Sequence, residues 1–213
     1  MMGPMETPLR AALEEHGLLL ESDARLPSIA ALVAGAPIKG SWWSHPKGRA
    51  IFAACGLLAD DPDALITKLV GGKVTYVHRR LWAPLLSVAR AQEAWQTRGL
   101  TPKARALLNL VTAEGSIRAD RAGAKGRDAA ELERRLLVHS ESEHTESGAH
   151  QRVLETWEHW ARRAKFRAAA MDPGRGRALL EEALAAMNAR SGALASLPWD
   201  EERRGAPRPR RRS

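Results

Sequence analysis

Residues 65–80, Leu-Ile-Thr-Lys-Leu-Val-Gly-Gly-Lys-Val-Thr-Tyr-Val-His-Arg-Arg, hold two β-branched runs joined by Gly71-Gly72 in a chain whose other periodic stretches read as helices. Paired glycines supply the positive φ values of a two-residue turn, so the segment predicts an antiparallel hairpin. That turn would set Leu69 opposite Val74, Lys68 opposite Thr75 and Thr67 opposite Tyr76. Leu65, Thr67, Leu69, Val74, Tyr76 and His78 would then share an inward face, with Lys68, Lys73 and Arg79 projecting from the other. The expected fold class is α+β, mostly helical, with a short β-hairpin.

Helix boundaries are read from capping signals. Thr7-Pro8 opens a helix that Gly17 closes; a second runs from about Pro27 to Gly35 or Pro37. Ser44 reads as the cap of a helix burying Ile51, Phe52, Cys55, Leu58 and Ala59. A helix over about Leu81–Gln96 buries Leu85, Val88 and Ala89. Thr101-Pro102 begins a second unit: a helix to Gly115, an extended Ser116-Ile117-Arg118, a short helix over Ala119–Ala124, and a helix over Arg127–Leu137. An extended polar segment, Val138–Glu146, follows. Helix, short strand, helix, helix, strand is the order of a winged helix-turn-helix. Ser147 would cap a further helix with Val153, Leu154, Trp157 and Trp160 on its buried face. Met171-Asp172-Pro173 starts a last helix, ending near Gly192. No internal repeat with a fixed period is evident. The expected organisation is a winged-helix-like unit over 1–98, a second over 99–170, a C-terminal helix over 171–198 and a disordered arginine-rich tail over 199–213.

With 213 residues, 44% hydrophobic and 27% charged, the chain is of globular type and has no apolar run of membrane-spanning length. The start, Met1-Met2-Gly3-Pro4-Met5-Glu6, lacks a basic then apolar leader, and Cys55 is the only cysteine; both predict a reducing cytoplasm. The formal charge is +8. Six arginines lie in residues 203–213, so the body to residue 202 has 27 basic against 25 acidic side chains and is nearly neutral. Attraction to nucleic acid by the body must therefore come from local segregation of charge.

Three segments offer such segregation. In Trp42-Trp43-Ser44-His45-Pro46-Lys47-Gly48-Arg49, two aromatic planes and three basic groups adjoin a helix start, as stacking plus phosphate capture requires. The bland reading makes one tryptophan a hydrophobic staple and packs the other on a neighbouring helix. Lys68, Lys73 and Arg79, with Arg80 at the hairpin's exit, could track phosphates, or could simply keep an exposed strand soluble. Arg127, Arg134 and Arg135 lie where a reading helix would stand, although Glu131 could satisfy the latter two within the helix. Trp157 and Trp160 are assigned to the core. His139, His144 and His150 are spaced by five and six positions, which fits no compact zinc pattern, so no metal site is expected. Glycine-rich phosphate loops, nucleophile elbows and cysteine dyads are missing, and no cofactor is implied.

The runs Gly-Ser-Trp-Trp-x-His-Pro-Lys-Gly from Gly40, Thr-Lys-Leu-Val-x-Gly-Lys-Val-Thr from Thr67, Val-His-Arg-Arg-Leu-Trp from Val77, Leu132–His139 and His144–His150 resemble a family of small bacterial proteins described as AlkZ-related. The resemblance spans roughly residues 26–161. It implies tandem winged-helix units, nucleic-acid binding and a connection with DNA repair. DNA glycosylases of that kind use a Gln-x-Gln motif, whereas the only glutamines here are Gln92, Gln96 and Gln151. The leading expectation is therefore a cytoplasmic protein that binds double-stranded DNA through Trp42, Trp43, His45, Lys47, Arg49, Lys68, Lys73, Arg79, Arg80, Arg127 and Arg134. One alternative is a glycosylase-like or other base-processing enzyme with an aromatic pocket at Trp42 and Trp43 and Glu141, Glu143 or His144 as its acid or base. The other is a non-catalytic interaction scaffold.

Overall fold

A computed structural model describes residues 6–119, 126–144 and 150–200. The chain is α+β and mainly helical, with two three-stranded antiparallel sheets. The first unit runs α1 (Glu6–His16), β1 (Leu18–Leu20), α2 (Ile29–Ala34), α3 (Gly48–Ala59), β2 (Ala64–Lys68) and β3 (Val74–His78), with strand order β1-β3-β2. Two helices, α4 (Trp82–Ala89) and the short α5 (Ala94–Thr97), lead to the second unit: α6 (Pro102–Glu114), β4 (Ser116–Arg118), α7 (Gly126–Arg134), β5 (His139–His144) and β6 (His150–Glu155). Its strand order, β4-β6-β5, repeats that of the first unit. The chain then adds α8 (Trp157–Arg163) and α9 (Pro173–Ser191). Among the described residues no helix is long and apolar enough to cross a membrane.

Several boundaries follow local capping chemistry. Thr101 accepts a hydrogen bond from the Ala104 N–H at 3.2 Å and is followed by Pro102; Asp172 accepts from Arg175 N–H at 3.0 Å and is followed by Pro173. Ser28 caps α2, and Gly35 closes it in the left-handed region.

The hairpin register differs from the sequence expectation by one residue. Lys68 pairs with Val74, Thr67 with Thr75 and Ile66 with Tyr76. Gly71 and Gly72 do have positive φ, of 57° and 67°, but they belong to a five-residue connection containing a 3-10 turn over Val70–Gly72. The Gly71 N–H donates to the Ser196 carbonyl, and the Val70 N–H to the Thr75 hydroxyl. A one-residue slip exchanges faces. Leu65 and Val77 thus lie on one side and Ile66, Val74 and Tyr76 on the other, and both sides are covered. One cluster joins Leu9, Leu13, Leu19, Ile51, Leu58 and Tyr76; the other joins Leu18, Leu65, Leu69 and Val77 to Leu85, Trp157, Trp160, Leu180 and Trp199. The sheet is a partition between two cores, so the expectation of one inward and one basic outward face does not hold.

Five further expectations are corrected. The N-cap of α3 is Lys47 rather than Ser44, which ends a 3-10 turn over Trp42–Ser44, and Phe52 is 54% exposed rather than buried. The helix expected to Gln96 stops at Ala89, and Gln92 at φ 49° turns the chain before α5. The helix expected to Leu137 ends at Arg134, with Leu136 at φ 53°. Val153 and Leu154 belong to β6 rather than to a helix, because their alternation pairs them with Glu141 and Ser140; α8 begins after its cap Thr156. Strand β1 is additional to the sequence expectations. The short helix expected over 119–124, the Ser147 cap and most of the 199–213 tail lie outside the described residues, while Trp199 is buried at 2% exposure.

Three of the buried tryptophans place their indole N–H groups on acceptors. Trp82 donates to the Val77 carbonyl at 2.9 Å, Trp157 to Leu136 at 2.7 Å and Trp199 to Glu181 at 2.7 Å. Helix α9 closes on α4 at Gly176, where a β-carbon would stand 2.1 Å from Ser87 Oγ and 2.7 Å from the Pro84 carbonyl. Gly176→Ala would ordinarily gain helix propensity, about 1 kcal/mol. Here the backbone contact outweighs it, and urea denaturation is expected to show a loss of about 1–3 kcal/mol.

Candidate nucleic-acid interface

The 3-10 turn ahead of α3 splits the tryptophan pair. Trp42 is buried, and its indole N–H donates to Glu21 at 3.1 Å. Trp43 is 66% exposed and stacks directly on Trp42, with ring centroids 4.0 Å apart and planes inclined by 22°. The two rings are closed against each other, leaving no slot for a third ring between them. Lys47 points back to α2, its ammonium donating to the Val33 and Ala34 carbonyls at 3.0 and 3.2 Å, where it answers that helix's C-terminal dipole. His45 Nδ1 accepts from the Lys47 N–H at 3.2 Å. Arg49 is exposed on α3 and, among the described residues, has no ion pair.

The hairpin cations take separate partners. Lys68 lies 2.5 Å from Glu133 of α7, a carboxylate 3% exposed that Arg152 also approaches at 3.4 Å. Neither Glu133 oxygen has a well-aligned hydrogen bond, so charge rather than directed bonding holds it. Lys73 pairs with Asp23 at 2.6 Å. Burial alone would raise the Asp23 pKa, but hydrogen bonds from Lys73 and from the Leu26 and Arg25 N–H groups hold it below the usual carboxylate value. Arg79 lies over the rings of Trp82 and Phe166, at 5.2 and 5.5 Å, with Asp63 3.6 Å away. Arg80 donates to the Glu14 and Glu15 carbonyls and so caps α1, as Lys47 caps α2.

Helix α7 presents Arg127, Glu131 and Arg134 along one stripe, at positions i, i+4 and i+7. Arg127 has a side chain 73% exposed, with Asp128 at 3.8 Å, and Arg134 is exposed. These residues border an open cleft of about 530 Å³ whose other wall is the start of α6, with Thr101, Pro102 and Lys103. Glu131 is tied to the Thr101 hydroxyl at 2.9 Å, and Arg135 turns inward to the Trp95, Gln96 and Arg98 carbonyls. Arg134 passes over the hairpin tip: a β-carbon at Gly72 would be 3.8 Å from its Cδ. Contacts then continue to Lys73, Asp23 and, through the hydrogen bond from Glu21 N–H to the Val74 carbonyl, to the Glu21–Trp42 pair. The structure thus places Arg127 and Arg134 on one stripe that reaches Gly72 and, next to it, Lys73, and leaves Lys47 and Arg80 engaged inside the first unit and Arg79 over Trp82 and Phe166.

The most elaborate polar cluster was not among the expected site residues. Glu155, at 3% exposure, receives His139 Nδ1 at 2.9 Å, His159 Nδ1 at 2.7 Å and Arg163 at 2.6 Å. His139 Nε2 reaches the Ile66 carbonyl of β2 at 3.0 Å, joining the units. Arg163 also pairs with Glu141 at 2.5 Å. The i, i+4 spacing of Glu155 and His159 was the available signal, but it belongs to a helix start the sequence expectation put earlier. The side chains of Glu143 and His144 lie outside the described residues.

Compared with protein-family models, curated proteins and solved structures, the chain matches none.

Burial would raise the Glu155 pKa, yet hydrogen bonds from His139, Arg163 and His159 bring it down to about 2, from an ordinary 4.5. A carboxyl depressed in the folded state contributes stability that is full above its unfolded pKa and disappears as pH falls through the folded one. Wild type is therefore expected to lose on the order of 3 kcal/mol between about pH 5 and pH 2 from this group. Glu155→Gln should lack that component, so urea titrations of the two proteins should converge toward pH 2.

Proposed function

We propose that the protein binds double-stranded DNA as a tandem winged-helix protein of AlkZ-related type, with α7 and the hairpin tip of the first unit as its binding face. The observation that carries this reading is the stripe of Arg127 and Arg134, two turns apart on the exposed side of the helix that precedes the β5–β6 hairpin. In a winged helix that position faces the groove, and arginine there can reach guanine or phosphate. Lys103 widens the positive border, and Lys73 lies beyond Gly72. The repeated strand order of the two sheets supports the architecture. The arginines of residues 203–213 add sequence-independent attraction. The resemblance in Gly40–Trp82 and Leu132–His150 supports a connection with DNA repair, and the single Cys55 supports a reducing cytoplasm as its place.

A second reading, a base-processing enzyme, draws on a different place from the aromatic pair. Glu155 orients His159, whose side chain is 38% exposed, as a carboxylate orients a catalytic imidazole. Loss of strand-nicking or base release in His159→Ala, with duplex affinity unchanged, would favour it.

Fluorescence anisotropy with a labelled duplex at two salt concentrations tests the leading reading. Arg127→Ala/Arg134→Ala should weaken binding by about tenfold or more and lower the salt slope by about 2. Absence of binding by both the full chain and a 1–202 truncation would overturn it.

A further inference from the structure

Helix α3 occupies in the first unit the position that α7 occupies in the second, but its exposed side is of another kind. Its buried face is Gly48, Ile51, Ala54, Cys55 and Leu58. The opposite face, at i, i+3, i+4, i+7, i+8 and i+11, reads Arg49, Phe52, Ala53, Gly56, Leu57 and Asp60, with Phe52 and Leu57 54% and 46% exposed. Trp43 extends it at the N-terminal end, its ring 5.8 Å from that of Phe52. Between Arg49 and Asp60 at its two ends this face carries no polar side chain, and an exposed apolar patch of this kind marks an association surface.

The two charges on this face stand the wrong way round for the helix itself. Arg49 is in the first turn and Asp60 is the C-cap, whereas the helix dipole favours acid at the N-terminus and base at the C-terminus. Among the described residues neither side chain has an ion pair, and on one straight helix they are about 16 Å apart, too far to meet each other.

We propose that this face is a homodimer interface, in which α3 packs antiparallel on α3 of a second copy about a twofold axis. A twofold interface must be self-complementary. Centred between Ala53 and Gly56, the antiparallel pairing places Arg49 opposite Asp60 of the other copy at both ends and Ala53 opposite Gly56 in the middle. The small central residues let the helices approach to about 8 Å. Phe52 on one shoulder and Leu57 on the other close over the seam. The misplaced charges thereby gain the partners they lack among the described residues. A contact of three helical turns is at the low end for a specific interface, so the dimer is expected to be weak. None of Arg127, Arg134, Lys103, Gly72 and Lys73 belongs to this face, so the inference does not rest on the DNA-binding reading.

Sedimentation velocity of the full chain from about 1 to 300 µM tests it. Wild type should pass from monomer to dimer across that range. Arg49→Asp and Asp60→Arg should each weaken dimerisation by about tenfold, by setting like charges opposite at both ends. The double swap R49D/D60R should restore it to within about threefold. Each swap improves the helix's own electrostatics, so circular dichroism should show α3 intact. A monomer at all concentrations, or a double swap no better than the singles, would overturn the proposal. So would an Arg49→Asp protein that self-associates as wild type does while losing duplex affinity, which would assign the face to nucleic acid.

Discussion

Burial of both faces of the β2–β3 hairpin is the constraint on which the rest of the structure depends. On one side Tyr76 meets the α1 and α3 core; on the other Leu65 and Val77 meet Trp157, Trp160 and α9. A sheet that divides two cores cannot slip by a residue without exchanging them. Two polar contacts pin it from the second unit: the Lys68–Glu133 pair and the hydrogen bond from His139 to the Ile66 carbonyl. Removing Lys68 would leave the buried Glu133 carboxylate with Arg152, 3.4 Å away, as its remaining counterion among the described residues, and would weaken the contact between the units.

That partition also decides what α7 can do. Because Glu133 faces inward to Lys68, the other side of α7 is turned out, carrying Arg127 and Arg134. The hairpin tip is drawn beneath Arg134 by the same packing, so a loop of the first unit and a helix of the second form one surface. The helices that precede the two hairpins differ accordingly: α7 is charged and borders a cleft, whereas α3 is apolar between two terminal charges.

The local part of this architecture was legible in the sequence. Thr101-Pro102 and Asp172-Pro173 start helices because their hydroxyl and carboxyl caps act within three residues. Trp157 and Trp160 are core, as their spacing implied. The register of the hairpin was not legible, because it is set by a bond from Gly71 to Ser196 and by burial on a second side that alternation cannot reveal. For the same reason the sequence overstated the basic surface. Lys47 and Arg80 serve as caps of α2 and α1, and Lys68 neutralises Glu133, all through partners distant along the chain. Arg127 and Arg134 stand out only once those others are engaged.

The division between a nucleic-acid face on α7 and an apolar face on α3 is the central claim, and hydrogen–deuterium exchange with and without a saturating DNA duplex tests it most directly. The account predicts slowed exchange together in 126–134 and in the hairpin tip around 70–75, with 48–60 unchanged by DNA at constant protein concentration. Protection of 48–60 with no effect on 126–134 would contradict it.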